Sequence, residues 1–242
     1  MGIVELFYGL VLAHFIADYM QPAALVAWTK RTGGGLYVHV GIYTVLTGIV
    51  LYGYGGYLWI PALLAMSITH FLLDKLKYAI GDRSAGIYLW TFLLDQVLHG
   101  IVIIGATVVL AAATAGQIDY SPFIRLSAPH IRALIGITCV IGAGFGGSIL
   151  VFEALRTYAP ADDGKVITFT ERLPGILERS AAGIILYLTP LVWLTPLPLG
   201  FSLVRNYYNR KTTGNRRAIV EFISGLAGFG MAAALYYCKY LV

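Results

Sequence analysis

Long apolar runs, broken by short polar turns, set the pattern of the chain. A membrane-spanning helix needs about 20 mostly apolar residues, and about seven segments approach that length. The first runs from Ile3 to Met20 and stops at Gln21-Pro22. The second begins near Tyr37 and fades at Tyr52, where Tyr52, Tyr54, Tyr57 and Trp59 form an aromatic cluster of the kind found at membrane interfaces. The third covers Leu58 to Tyr78, the fourth Ile87 to Ala113 and the fifth Ile131 to Leu155. The sixth, Ala181 to Val204, contains Pro190, Pro196 and Pro198 and reads either as a kinked span or as a re-entrant hairpin. The last covers Ala218 to Tyr240. The predicted fold class is all-α, a polytopic transmembrane helical bundle. It reads as one integral membrane domain over residues 1–242, with a four-helix bundle in 1–113 and less regular C-terminal helices in 114–242.

Composition strengthens this picture. The chain has 242 residues, is 58% hydrophobic and 12% charged, and its mean hydropathy is +0.76. A soluble domain carries roughly twice that charged fraction. The formal charge of +5 does not imply nucleic acid, because the basic residues sit at segment ends, as topology signals do. The expected partner is the lipid bilayer, and the pattern leaves the oligomeric state open. Cys139 and Cys238 both lie in apolar segments and read as small buried hydrophobes. The first segment has no basic flank before it and carries His14 and Asp18, so it is expected to stay in the mature protein rather than act as a signal peptide.

Lysine and arginine in short loops orient the bundle. Lys30, Arg31, Lys75, Lys77 and Arg83 fall on one side, and the turn between Tyr52 and Trp59 has no basic residue. The loop after the first helix is therefore expected in the cytoplasm. A reporter fused after Arg31 should read as cytoplasmic, and one in the turn at Gly53–Gly56 as external. The reverse result would overturn the orientation without touching the site described next.

Ionisable residues inside these segments carry the chemistry. His14-x3-Asp18 and His70-x3-Asp74 share a four-residue spacing, and Asp95-x3-His99 repeats it in reverse order. That spacing puts both members on one helical face. Such residues are costly in a membrane and usually mark function. His14 and Asp18 lie near the end of the first segment, His39 near the start of the second, His70 and Asp74 near the end of the third, and Asp95 and His99 early in the fourth. Alternating helices bring all seven toward one membrane face, as in bundle metal sites. The expected ligands of a divalent metal are His14, Asp18, His39, His70, Asp74, Asp95 and His99. Zinc is the first choice and iron or manganese are alternatives, with one or two ions. Asp18, Asp74 or Asp95 can double as catalytic base. A single His-x3-Asp pair is more often a buried hydrogen bond, so the weight rests on three pairs at one depth.

Other signals are weaker. Gly142-x-Gly144-x2-Gly147 matches a dinucleotide fingerprint in letters only, because no strand precedes it, and reads as close helix packing. Glu171-Arg172 and Glu178-Arg179 are seven residues apart, and with Arg205 and Glu221 they read as structural ion pairs or as a clamp for a phosphate group. Gln21, Lys77, Arg172 and Arg179 are the candidate substrate-binding residues.

His14-x3-Asp18-x2-Gln21, His39, His70-x3-Asp74-x2-Lys77 and Asp95-Gln96-x2-His99 together resemble a family of small bacterial integral membrane proteins of unassigned function. Gly175-Ile-Leu-Glu178-Arg179 and the Glu221-Phe-Ile-Ser-Gly-Leu run resemble its C-terminal part. The resemblance implies a bacterial inner membrane location. By residue types, the site also resembles those of membrane-bound metal-dependent hydrolases, an analogy and no more. The expected function is a metal-dependent hydrolase acting on a lipid or lipid-linked substrate at the cytoplasmic face, with an anionic lipid among the candidate partners. The alternatives are a metal- or proton-coupled transporter and a metal-stabilised subunit of a membrane complex.

Overall fold

The computed structural model describes residues 2–20, 34–52, 54–81, 86–114, 128–159, 169–188 and 215–238, together with 197, 200–202, 204, 205, 207 and 208. Their main elements are helices: α1 Ile3–Tyr19, α2 Gly34–Leu51, α3 Trp59–Gly81, α4 Tyr88–Ala113, α5 Ala128–Ile141, α6 Gly147–Tyr158, α7 Phe169–Leu188 and α8 Asn215–Cys238. A wide helical turn at Gly142–Gly146 joins α5 to α6. Four stretches are long and apolar enough to cross a membrane, namely Gly34–Leu51, Gly56–Ile80, Tyr88–Ala113 and Pro129–Tyr158, which points to an integral membrane protein. The prolines Pro190, Pro196 and Pro198, on which the choice between kink and hairpin turned, lie outside the described residues. So does Gln21. α7 starts at Phe169, so its helix begins well before the apolar run at Ala181.

The chain divides into two compact units. One takes Met1–Ile80 and Leu93–Ile135, the other Gly81–Phe92 and Gly136–Leu241. In the first unit α1 packs against α2 and is enclosed on nearly every side, burying Leu6, Tyr8, Leu10, Phe15 and Ala17 among others. A helix apolar all round belongs in the interior of a bundle. The other three helices are two-faced. On α3, Ile60, Leu64, Ile68, Leu72 and Leu76 form an exposed stripe at four-residue spacing, while Met66, His70 and Asp74 are buried. On α4, Leu94, Val97, Ile101, Ile104 and Val108 are exposed, and Asp95, His99, Ile103, Thr107 and Leu110 are buried. On α2 the buried row is His39, Tyr43, Thr47 and Leu51. The exposed rows are as apolar as a core, which suits a lipid surround and would be a liability in water.

Local chemistry places these helices. The turn between α2 and α3 is tight enough to put Gly55 and Gly56 at φ +65° and +63°, a conformation that glycine adopts without a Cβ clash. The hydroxyls of Thr107 and Thr114 donate to the carbonyls four residues back, at 2.8 and 2.9 Å, so neither faces hydrocarbon unpaired. Thr44 of α2 and Ser67 of α3 pair their hydroxyls at 2.9 Å.

In the second unit, α8 packs on α6, on α7 and on the Gly142–Gly146 turn. The glycines expected to serve helix packing do so. A methyl group built on Gly228 of α8 would stand 2.6 Å from Gly147 Cα, so the two backbones touch there. One built on Gly144 would collide with the Ser180 hydroxyl. Gly228→Val should therefore lower the melting temperature by roughly 5 °C or more, through overpacking against backbone that cannot yield. Gly230→Ala is the control, since nothing lies within 4 Å of that position, and equal melting of both variants would refute the contact.

Candidate metal centre

α1 carries His14 and Asp18, α2 His39, α3 His70, Asp74 and Lys77, and α4 Asp95, Gln96 and His99. All belong to the first unit, and the structure brings together the seven histidines and aspartates expected to meet. His14, His39, His70, Asp74, Asp95 and His99 are each buried, and the Asp18 side chain is nearly so. The buried rows on α2, α3 and α4 that hold apolar residues farther along become polar here, which is how helical periodicity turns a packing face into a site.

Short distances link four donor atoms to the His39 and His70 rings. His39 Nε2 lies 3.0 Å from His70 Nε2, 2.8 Å from Asp74 Oδ2 and 3.7 Å from Asp18 Oδ1. His70 Nε2 is 3.7 Å from Asp18 Oδ1 and 3.4 Å from Asp74 Oδ2. Ligands at about 2.0–2.1 Å from a tetrahedral ion stand about 3.3–3.4 Å apart, so the 3.0–3.7 Å spacing of Asp18, His39 and His70 can take one divalent cation. Hydrogen bonding accounts for it less well. Asp18 Oδ1 is buried without a hydrogen bond, and Asp74 Oδ2 has only the His39 ring within 3 Å. Buried carboxylate oxygens left that way are costly. A cation among them removes the cost.

A second set of donors lies beside the first. His99 Nδ1 donates to the Asp95 main-chain carbonyl at 2.9 Å, and Nε2 is buried without a hydrogen-bond partner. His14 Nε2 faces Gln96 Oε1 at 3.4 Å, an oxygen that also accepts from the Tyr19 hydroxyl. The other ring nitrogen, Nδ1, is left unpaired 3.6 Å from Asp18 Oδ1. The His14 and His99 rings stack with centroids 4.7 Å apart, and His70 meets His99 at 4.6 Å. Three groups can hold a metal ion, each with its donor atoms within 4.8 Å of one another: Asp18, His39 and His70; His14, His70 and His99; and Asp74, Asp95 and His99. They overlap at His70 and His99.

Asp95 differs from the other two aspartates. Its Oδ2 accepts from Lys77 Nζ at 2.7 Å and from Gln96 Nε2 at 2.9 Å, while Oδ1 has no hydrogen bond. Lys77 therefore reaches the site through Asp95, with its side chain partly exposed. Tyr43 stacks flat on His70, with centroids 3.9 Å apart and an interplanar angle of 7°, and fixes that ring. Tyr43, Gln96 and Tyr19 were not among the predicted site residues. Tyr43 stands four residues after His39 on the same face, and Gln96 and Tyr19 adjoin predicted aspartates, so spacing could have found all three.

Arg172 and Arg179 lie on α7 in the second unit. Glu178 pairs with Arg205 at 3.0 Å. His130 is exposed; Cys139 is buried, as expected of a small hydrophobe, and Cys238 lies where no side chain is described.

Residues 6–124 match the model of a family described as a protein of unknown function, DUF3307. The matched span contains all seven histidines and aspartates of the site, with Lys77, Gln96, Tyr19 and Tyr43. No curated protein and no solved structure matches the chain.

Proposed function

We propose that the four helices hold an intramembrane divalent metal centre and that the protein is a metal-dependent hydrolase of a lipid or lipid-linked substrate. The observation that carries this reading is the spacing of Asp18 Oδ1, His39 Nε2, His70 Nε2 and Asp74 Oδ2, from 2.8 to 3.7 Å in the pairs given above. Asp18, His39 and His70 form the main ligand set, with Asp74 beside the two histidines. His14 Nδ1 and His99 Nε2 supply ligands for a second ion, or for a shift of the first. Mixed imidazole and carboxylate donors favour zinc, with manganese or iron as alternatives. A divalent ion bound there would lower the pKa of a bound water and polarise a substrate oxygen. Among the aspartates, Asp95 is held by Lys77 and Gln96 and orients His99. Gln96 positions both Asp95 and His14. Exposed apolar rows on α3 and α4 would give a lipid substrate lateral access to the bundle.

A second reading is supported by the chain of hydrogen bonds from Tyr19 through Gln96 and Asp95 to the partly exposed Lys77. Such a chain can move protons, as in a proton-coupled carrier. Elemental analysis of detergent-purified protein beside His70→Ala separates the two. The metal reading expects a divalent ion in the parent protein and its loss in the variant, and the relay expects none in either.

A further inference from the structure

The second unit contains a buried cation that the metal centre does not use. Arg179 is 5% exposed and, among the described residues, has no ion-pair partner within 4 Å. Its Nε is buried without a hydrogen bond. Glycines make room for it. Methyl groups built on Gly147 and Gly225 would stand 2.9 Å from its Cδ and Nε and 3.6 Å from its Nη1. A methyl on Gly175 would stand 3.1 and 3.2 Å from Arg179 Nη1 and Nη2, and 3.4 Å from Arg205 Nη2. Two guanidinium groups from separate segments thus converge over Gly175. Glu178 pairs with Arg205 at 3.0 Å, and the charges of Glu178 and Glu221 also reach Arg179. A buried guanidinium whose Nε has no hydrogen bond keeps a donor for a further acceptor, and its fork matches the oxygens of phosphate.

We propose that Arg179 and Arg205, over Gly175, bind a phosphate group, carried by an anionic lipid headgroup or free in solution. Glu178 holds Arg205 in place, and the glycine-lined crevice holds the Arg179 stem. The proposal rests on residues separate from the metal ligands and is tested without metal or activity.

The experiment uses the full chain in detergent, titrated with inorganic phosphate and, separately, with soluble dihexanoyl phosphatidylglycerol, and read by calorimetry. The parent protein should bind at least one probe. Binding of phosphatidylglycerol alone would identify a headgroup, and binding of both would identify the phosphate itself. Arg179→Gln and Arg205→Gln should each weaken binding by at least about tenfold, as loss of a charge-assisted pair does. Gly175→Ala keeps both charges and improves helix propensity, yet fills the shared space, so it should also lose binding while remaining folded. It keeps the test decisive if Arg179→Gln does not fold. Arg156→Gln is the control, because Arg156 is engaged by Glu153 at 3.0 Å and by the Tyr88 ring at 3.7 Å. No binding of either probe by the parent, or parent-like affinity in Gly175→Ala and Arg205→Gln, would overturn the proposal.

Discussion

His70→Ala should strip the protein of its metal. His70 joins two of the three donor groups and stands within 3.7 Å of three other donor atoms. Loss of a residue that merely orients a ligand weakens a site by roughly ten- to a hundredfold, and loss of a direct ligand costs more. The expected result is a fall of at least about a hundredfold in affinity and near-zero metal after dialysis. The ring also packs flat on Tyr43, so the variant loses packing as well. Tyr43→Leu separates these effects, since it removes the stack and spares every donor atom. It should soften the fold and keep the metal. Equal metal in parent and His70→Ala, or none in the parent, would sink the metal centre.

Asp95→Asn should weaken the apo protein as well as the metal site. Were this buried carboxylate unpaired, removing its charge would stabilise the apo fold. The structure reverses the sign, because Lys77 Nζ lies 2.7 Å away. Taking the charge from Asp95 leaves a partly buried ammonium opposite a neutral amide, at a cost of about 2 kcal/mol. In a chain of this size, that lowers the melting temperature by roughly 4–8 °C. Metal affinity should fall by roughly ten- to a hundredfold, because the Asp95 carbonyl and carboxylate both orient His99. The double variant Asp95→Asn/Lys77→Met removes the stranded charge and should recover much of the apo stability without restoring metal binding. Full recovery of both, or no loss of either in Asp95→Asn, would remove the pair from the site.

Much of this molecule was legible in the order of its residues. Hydropathy marks where helices run, and those limits agree closely for α2, α3 and α4, because in lipid the backbone must bond within each helix. The His-x3-Asp spacing puts both groups on one face by the geometry of a single helix, so the chemistry of His14, Asp18, His70, Asp74, Asp95 and His99 could be seen before any packing was known. What the sequence left open depends on contacts between helices. An apolar face can meet lipid or protein equally well, so hydropathy could not tell that α1 lies inside its bundle while Ile60, Leu64 and Ile68 face outward. Nor could it pair Lys77 with Asp95 across α3 and α4, or choose Arg205 over Arg179 for Glu178. Long flexible side chains select partners by where neighbouring helices place them. The 2.8–3.7 Å spacing of the donor atoms arises the same way, from four helices meeting at one depth, and only the tertiary structure decides it.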